Sequence, residues 1–214
     1  MADLVGTYPV NLDMAGRTAL VVGGGRIAAR KAAGLLAAGA SVTVVAPEVD
    51  GAVEELVKSG SLTLLRRPYQ PGDAARHRLV VAATGVAEVD GQVAAEADAA
   101  GVWVNSADDP ANCSFILPAI LREGPVSVAV STSGASPALA SWLRDRLAAT
   151  LAELLGDGTA ELAALLSEAR DRVKTSGRSP ETVDWRGLLE GPLPDLVRTG
   201  RLDEARLLLD RAIG

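Results

Sequence analysis

The stretch that decides the fold is VVGGGRIAARK, Val21–Lys31. It continues a short apolar run, Thr18–Val22 (TALVV), whose β-branched residues predict a buried strand. After the glycines, Ile27–Ala38 repeats apolar and small residues at helical spacing, and Gly39 is placed to end that helix. The stretch therefore predicts a strand, a glycine turn and a helix in direct succession.

The glycines fit the pattern G-x-G-x-x-A, with Ala28 at the third small position. In such a turn Gly23 permits the sharp change of direction, Gly25 lets a pyrophosphate approach the backbone, and Ala28 permits close helix–strand packing. The amides of the helix N-terminus then face the anion. The alternative is a packing turn in some other α/β protein, but the flanking strands and helix favour a dinucleotide site.

Strand-like and helix-like segments alternate from this turn onward. Further strands are predicted at Ser41–Val45, Leu62–Leu65, Leu79–Ala83 and Val102–Val104. Further helices are predicted at Val49–Lys58 and Ala87–Ala100. This alternation indicates parallel strands joined by crossover helices, and hence an α/β fold with a doubly wound parallel sheet.

The pattern changes at Asn105–Ser114 (NSADDPANCS), which is polar and turn-forming. We then expect a short helix at Phe115–Arg122 and a strand at Val126–Ser131. Ser136-Pro137 is a good start for a helix that runs to Leu155, because a capping hydroxyl precedes a proline at the first helical position. The remaining sequence has helical patterning broken by TSGRSP and EGPLP.

Composition and charge limit the kinds of function that the chain can have. Apolar residues make up 48% and charged residues 22%, which is a globular composition. Aromatic residues make up only 3% and the net charge is −6, which argues against a nucleic-acid surface. The single cysteine, Cys113, excludes an internal disulfide and a multi-cysteine metal site. With no signal-peptide pattern and no bilayer-length apolar stretch, we expect a cytoplasmic protein without a membrane partner.

More candidate cofactor residues follow the later strands. Ala46 stands where an acid usually meets the adenosine ribose, and Glu48 either reaches that ribose or is a solvated residue at the next helix start. Because no Arg or Lys stands there to accept a 2′-phosphate, NAD is favoured over NADP. The predicted cofactor-binding residues are Gly23, Gly25, Arg26, Ile27, Ala46, Pro47, Glu48, Thr84 and Gly85.

Several segments together resemble one family: YPVNLDMAGRTALVVGGGRIAARKAAGLLAAGASVTVVAPE, LVVAATG, VWVNSADDPANCSFILPAIL and VSVAVSTSGASPALASWLRDRL. They are similar to precorrin-2 dehydrogenase/sirohydrochlorin ferrochelatase, the module that also forms the N-terminal part of siroheme synthase. The run N-x-x-D-x-P-x-x-x-S-F-x-x-P, Asn105–Pro118, is more specific than the glycine motif. The resemblance is strong over residues 8–150 and weaker through EARDRVK and Trp185 to the end.

The resemblance implies three parts: a Rossmann-like NAD-binding domain at 1–112, a small α+β dimerisation segment at 113–150 and a C-terminal helical domain at 151–214. It implies an intertwined homodimer with the active site between the cofactor domain and the dimerisation region. The implied activity is NAD-dependent oxidation of precorrin-2 to sirohydrochlorin, and in many members insertion of ferrous iron to give siroheme. No resident metal is implied.

By the same resemblance Asp108, the acid of the N-x-x-D run, is the catalytic residue. A carboxylate there suits removal of pyrrole N–H protons, which both oxidation and metal insertion require. From the residues alone, Asp108 could instead be an Asx-turn carboxylate bonded to its own loop. Its neighbour Asp109 is expected to be a turn residue ahead of Pro110.

The predicted substrate-binding residues are Asn105, Ser114, Ser131, Thr132 and Ser133. The hydroxyls from Ser131 to Ser136 either line the macrocycle site or satisfy backbone groups at a strand–helix turn. A polycarboxylate substrate needs local basic groups in an acidic chain, and the candidates are Arg26, Arg30, Lys31, Arg122, Arg144 and Arg146. His77 is expected at the surface. Because it is the single histidine, an iron chelatase that relies on a histidine pair is excluded.

Two departures from the family pattern leave alternatives open. GVAEVDG follows Thr84, where the family commonly has acidic residues and then an asparagine, and the C-terminal part is divergent. The chain is therefore also compatible with a dehydrogenase that leaves iron insertion to another protein. A non-catalytic module that binds NAD(H) for regulation would explain the glycines but not the Asn105–Pro118 run.

Overall fold

The computed structural model describes residues 6–214, so the first residues of the predicted 1–112 domain lie outside the described part. The chain divides into two compact units, one extending to Leu117 and the other comprising Pro118–Gly214.

The first unit is built on a five-stranded parallel sheet in the order β3-β2-β1-β4-β5. Its strands are β1 (Thr18–Val22), β2 (Ser41–Val45), β3 (Thr63–Leu65), β4 (Leu79–Ala82) and β5 (Trp103–Ser106). Its α-helices are α1 (Arg26–Ala37), α2 (Gly51–Lys58) and α3 (Ala87–Ala99). The predicted doubly wound α/β sheet is confirmed.

The apolar runs of the sequence form strands because both faces of the sheet are covered. In β1, Ala19 and Val21 enter the core that α1 and α2 cover, whereas Leu20 and Val22 enter the core that α3 covers. All four side chains are buried. A strand buried on both faces is apolar throughout rather than alternating, as TALVV is.

The strand order places the ligand crevice. From β1 the chain moves outward through β2 to β3, then returns to β4 on the other side of β1. In open α/β sheets ligands bind outside the carboxyl ends of the strands where the order reverses in this way. The glycine turn leaves β1 and the segment Ala83–Gly85 leaves β4 at this point.

The second unit begins with an antiparallel hairpin of β6 (Ala119–Glu123) and β7 (Val126–Val130). The predicted helix at Phe115–Arg122 is therefore wrong. Its short apolar run suits a helix or a strand equally by periodicity. The connection Gly124-Pro125 decides in favour of a hairpin, because Gly124 adopts φ +57° in a two-residue loop.

Helices complete the second unit: α4 (Pro137–Leu155), α5 (Thr159–Thr175), α6 (Trp185–Glu190), α7 (Leu193–Arg198) and α8 (Leu202–Ile213). The predicted start of α4 is confirmed, since the Ser136 hydroxyl accepts a 3.2 Å hydrogen bond from the Leu139 amide. Helices α5, α7 and α8 share a core that includes Leu165, Leu193 and Leu209. Within residues 6–214, no helix combines the length and apolarity needed to span a bilayer.

Candidate functional site

The first two glycines of the turn are required by the packing of the protein itself. A Cβ at Gly23, where φ is +126°, would overlap the Ala83 carbonyl oxygen, and a Cβ at Gly24 would overlap the Glu48 carbonyl oxygen. The Gly23 amide donates to the Val45 carbonyl at 2.9 Å. The turn after β1 therefore touches the chain that leaves β2 and the chain that leaves β4, which brings three predicted cofactor segments together.

Gly25 is different, because the protein gives no packing reason for its missing side chain. A Cβ there would meet no atom within 4 Å, and φ −86° with ψ −176° is backbone that any residue adopts. Gly25 caps α1 without any side-chain cap, and Ala28 behind it is completely buried. The open space before the first turn of α1 suits the phosphates of a dinucleotide, which bind helix N-terminal amides.

The segment after β2 supplies one exposed acid. Ala46 is buried, whereas Pro47 and Glu48 are exposed. Among the described residues, no hydrogen-bond or ion-pair partner is found for the Glu48 carboxylate, so it remains available to a ribose hydroxyl. At the start of α1, Arg26 and Ile27 are also exposed.

A buried acid that was not predicted from the sequence accepts hydrogen bonds from the segment after β4. Asp90, in the first turn of α3, is 6% exposed and accepts hydrogen bonds from the Thr84 amide (3.1 Å) and hydroxyl (2.8 Å). The Thr84 hydroxyl also accepts a 3.0 Å bond from the Val86 amide. Gly85 then turns the chain at φ +74°. An acid near a helix start shortly after a threonine was the available signal for this capping contact.

The loop after β5 is held by side chains of the N-x-x-D run. Asn105 is buried, and its amide nitrogen donates to the Phe115 carbonyl at 3.1 Å. The Cys113 sulfur accepts from the Ser106 amide at 3.2 Å. The Ser114 hydroxyl accepts from the Val104 amide at 2.7 Å. Two predicted substrate-binding residues, Asn105 and Ser114, therefore already have partners within the loop.

Asp108 lies in this loop, but its carboxylate makes no hydrogen bond to the loop. Its φ of +61° is unusual for a residue other than glycine, although Asp tolerates the left-handed region. The residue is exposed, and among residues 6–214 no hydrogen bond or ion pair engages its carboxylate. The Asx-turn alternative is thus not what the structure shows. The carboxylate that is hydrogen-bonded within the loop is that of Asp109, which accepts a 2.7 Å bond from the side-chain Nδ2 of Asn112.

Lys31 links helix α1 to the Asp108 loop. Its half-buried ammonium nitrogen Nζ donates to Oδ1 of Asn105 at 3.2 Å. Burial lowers the pKa of Lys31, as does the nearby charge of Arg30, while Cys113 and Asp108 act in the opposite direction. Lys31 was expected from the sequence to be a basic group beside the crevice, but no local signal indicated a contact with Asn105.

The hydroxyl strip lies in the second unit and bonds the backbone. The Ser131 hydroxyl accepts from the Ser133 amide at 3.1 Å. The Thr132 hydroxyl accepts from the Ser136 amide at 3.0 Å and donates to the Ser136 carbonyl at 3.1 Å. These contacts match the alternative in which the hydroxyls satisfy the strand–helix turn. Of the basic candidates in this unit, Arg144 pairs with the adjacent Asp145, while Arg122 and Arg146 are exposed.

A groove of about 630 Å³ lies elsewhere on the first unit. Its lining includes Thr18, Leu79 and Trp103, which begin strands β1, β4 and β5. It therefore opens at the amino ends of the strands, opposite the glycine turn, and is not the predicted cofactor site. His77 lines this groove, away from the residues predicted to bind cofactor. In residues 6–214, no group of three or more His, Cys, Asp or Glu side chains is arranged to hold a metal ion.

Comparisons with known proteins agree with this geometry. Residues 10–119 match a family model described as putative NAD(P)-binding, and residues 123–150 match one described as sirohaem biosynthesis protein central. A siroheme synthase of Pseudomonas paraeruginosa is 40% identical over 207 residues, covering 96% of this chain and 44% of the relative. A siroheme synthase of Chromobacterium violaceum is 42% identical over 211 residues, covering 96% of this chain and 43% of the relative. The chain thus spans less than half the length of these relatives.

A solved structure described as SirC, precorrin-2 dehydrogenase, superposes with a TM-score of 0.69 at 28% identity, covering 97% of this chain and 98% of that one. Together the matches confirm the family resemblance and the fold class predicted from the sequence. They also confirm the predicted cofactor to the level of a nicotinamide dinucleotide.

Proposed function

We propose that the chain, which belongs to the putative NAD(P)-binding family, is a cytoplasmic dehydrogenase. Its proposed reaction is the oxidation of precorrin-2 to sirohydrochlorin with NAD. The names of the siroheme synthases and of the precorrin-2 dehydrogenase structure support this tetrapyrrole substrate. The observation that carries the proposal is the exposed carboxylate of Asp108, which has no hydrogen-bond or ion-pair partner among the described residues. It lies in the loop that leaves β5, at the carboxyl ends of the strands, where the glycine turn also lies.

Each cofactor segment has a distinct task in this proposal. The amides of Gly25 and the first turn of α1 bind the pyrophosphate, and the lack of a side chain at Gly25 admits it. The Glu48 carboxylate accepts hydrogen bonds from the adenosine ribose. With an acid and no Arg or Lys at residues 46–48, a 2′-phosphate would be repelled, which favours NAD over NADP. The bond from Asp90 to Thr84 holds the loop that borders the crevice.

Asp108 acts as the general base. Oxidation of the macrocycle removes a hydride from a ring carbon and a proton from a pyrrole nitrogen, and the Asp108 carboxylate would accept that proton. Bound NAD supplies the hydride acceptor. Insertion of ferrous iron into sirohydrochlorin displaces further pyrrole N–H protons, so we extend the proposal to iron as a second substrate served by the same carboxylate. Asn105 and Ser114 support the loop that presents Asp108.

Replacing Asp108 tests the proposal. In Asp108→Asn the side chain keeps its shape but cannot accept a proton, so NADH formation from precorrin-2 should fall about 10²- to 10⁴-fold. NAD affinity, measured by calorimetry, should be unchanged because the glycine turn is intact. The matched control is Asp109→Asn, whose side chain contacts Asn112 within the loop and should retain turnover. Unchanged turnover in Asp108→Asn would remove the base from the mechanism. NAD binding without any NADH formation by the wild type would favour a regulatory NAD(H)-binding module.

We further propose that residues 113–150 dimerise. Residues 151–214 are helical and lie within the compact unit Pro118–Gly214. Large apolar side chains are exposed throughout this segment: Leu117, Ile120, Leu139, Trp142 and Leu147. Exposed apolar side chains that form a contiguous patch mark interaction surfaces. We also propose that Ser131, Thr132 and Ser133 bind the substrate. Light scattering should give twice the chain mass, and Trp142→Asp should give a monomer. A monomeric wild type at micromolar concentration would contradict the dimer.

A further inference from the structure

The groove at the amino ends of β1, β4 and β5 has no role in the proposed function. Its volume of about 630 Å³ lies within the range of small-molecule sites. Its lining comes from three segments of chain, within residues 11–18, 75–79 and 100–103. All three belong to the compact unit that ends at Leu117, so one folded unit forms the whole groove. The groove is therefore large enough to hold a ligand.

The lining of the groove is positively charged. Arg17, Arg76 and Arg78 all line it and are exposed, and none of them has an ion-pair partner among residues 6–214. Among the described lining residues, Asp13 is the one acid, and its Oδ1 already accepts a 3.1 Å hydrogen bond from the Ala15 amide. The lining thus carries more positive than negative charge, in a chain whose net charge is −6.

The sheet holds these arginines near one another. Arg17 and Arg78 stand directly before β1 and β4, which pair in parallel. The Arg78 amide donates to the Thr18 carbonyl at 3.0 Å, so the strand register makes the two arginines near neighbours. Arg76 lies two residues before Arg78, at the end of a 3₁₀ turn, Ala74–Arg76. The arginine backbones are therefore fixed by the fold, and the guanidinium groups surround one space.

An exposed indole borders the same groove. Trp103 begins β5 opposite Leu79 of β4, and 53% of its surface is exposed although the next strand residue, Val104, is buried. Single exposed apolar side chains are ordinary, but this ring lines a groove together with three arginines. Exposed aromatic faces stack on flat rings such as nucleobases. Guanidinium groups bind phosphate oxygens through a planar fork of donors.

The end of α3 opposes an anion in this groove, but only weakly. A helix C-terminus carries about −0.5 elementary charge, which with Asp13 remains below the charge of three arginines. The last carbonyls of α3 are also engaged, because the amides of Ala100, Gly101 and Val102 donate back to it. The electrostatic balance of the groove therefore still favours an anion.

We propose that this groove binds a nucleoside phosphate, with its phosphates on Arg17, Arg76 and Arg78 and its base against Trp103. The proposed cofactor site lies at the carboxyl ends of the same strands, so this is a second and separate site. The inference goes beyond the proposed function, since no step of the dehydrogenase reaction uses the groove.

The test uses GDP as the probe and the indole N–H NMR signals of the three tryptophans as the readout. The Trp103 signal is assigned by its loss in Trp103→Phe. Trp142 and Trp185 belong to the other compact unit and serve as internal controls. GDP should move the Trp103 signal and leave the other two in place. It should bind more tightly than either guanosine or pyrophosphate, because the base and the phosphates each contribute.

Charge variants separate the groove from general electrostatics. Arg76→Gln and Arg78→Gln should each raise the Kd for GDP about tenfold, the loss of one charge-assisted hydrogen bond. Arg211→Gln removes the same charge from an exposed position near the end of α8 and should leave the Kd unchanged. The shift should persist in Gly25→Ala, whose methyl group blocks the proposed cofactor site and not the groove.

Four results would overturn the inference. The first is a Trp103 signal that millimolar GDP does not move. The second is pyrophosphate binding as tightly as GDP, which would leave the base without a role. The third is an Arg211→Gln variant that weakens binding as much as the groove variants do. The fourth is loss of the shift in Gly25→Ala, which would place the nucleotide in the cofactor site. None of these results depends on whether the protein oxidises precorrin-2.

Discussion

At Gly25, the third glycine of the turn, the effect of one added methyl group on cofactor binding can be measured separately from its effect on folding. At Gly25 a Cβ would meet no protein atom within 4 Å, and the backbone there is ordinary for any residue. Because alanine is a poorer N-cap residue than glycine, the substitution should lower the free energy of unfolding by about 0.5–1 kcal/mol. The same substitution should raise the free energy of unfolding by about 0.4–1 kcal/mol, because alanine restricts the unfolded chain more than glycine does. The free energy of unfolding of Gly25→Ala should therefore stay within about 0.5 kcal/mol of the wild type, a change in Tm of about 2 °C or less.

Cofactor binding should respond very differently in the same variant. The new methyl group would occupy the space through which a pyrophosphate reaches the amides of α1. We expect the affinity for NAD to fall at least about tenfold, equivalent to about 1.4 kcal/mol. Gly24→Ala is the matched control, because its Cβ would overlap the Glu48 carbonyl oxygen and lie 2.9 Å from Cα of Val49. Overpacking of this kind destabilises by about 1–3 kcal/mol, so Gly24→Ala should lower Tm.

The two properties are measured by isothermal titration calorimetry with NAD and by thermal unfolding without it. The reasoning predicts weak binding at normal stability for Gly25→Ala and lowered stability for Gly24→Ala. It would be refuted by a Gly25→Ala protein that binds NAD as tightly as the wild type. It would also be refuted by a Gly25→Ala protein that unfolds as readily as Gly24→Ala.

Two further predictions concern buried acids of the first unit. Asp90→Ala leaves the Thr84 amide and hydroxyl without their acceptor, so urea titration should show a free energy of unfolding lower by about 1–3 kcal/mol, and an unchanged value would contradict this role. The hydrogen bonds from Arg67 lower the pKa of Asp73, more than burial raises it. A lowered folded-state pKa gives stability that is complete above the unfolded pKa and is lost as pH falls through the folded one. Urea unfolding between about pH 5 and 2 should therefore show a smaller loss of stability in Asp73→Asn than in the wild type, and equal slopes would exclude this pair as a source of acid sensitivity.

The sheet could be predicted from sequence because its determinants are local. TALVV is followed at once by glycines and a helical pattern. Each later strand of the sheet is separated from the next by a segment that contains turn-forming glycine or proline residues. These signals depend on neighbours in the chain, so Thr18–Val22 and Ser41–Val45 were predicted with the bounds that the structure has. The strand at Ala119–Glu123 was predicted as part of a helix because its short apolar run fits either period, and only the turn at Gly124 distinguishes a hairpin.

The candidate site was predictable only in part, because its contacts join distant residues. Gly25 was predicted from the glycine motif, in which close approach of a pyrophosphate demands glycine at a fixed spacing, whereas Asp108 was predicted as the base only through the family resemblance of the N-x-x-D run. The bond from Lys31 to Asn105 spans 74 positions, and nothing in either local sequence specifies it. Asp90 was missed because an acid in the first turn of a helix is common, and only the fold shows that it is buried against Thr84.

The measurement that tests the central claim most directly is the reaction itself. Purified protein is mixed anaerobically with enzymatically made precorrin-2 and NAD, and NADH absorbance is followed together with the sirohydrochlorin spectrum. Ferrous iron is added only after that reaction ends, alongside a protein-free control. The account predicts one NADH for each sirohydrochlorin formed, followed by siroheme formation faster than in the control. Tight NAD binding with no NADH produced would contradict it.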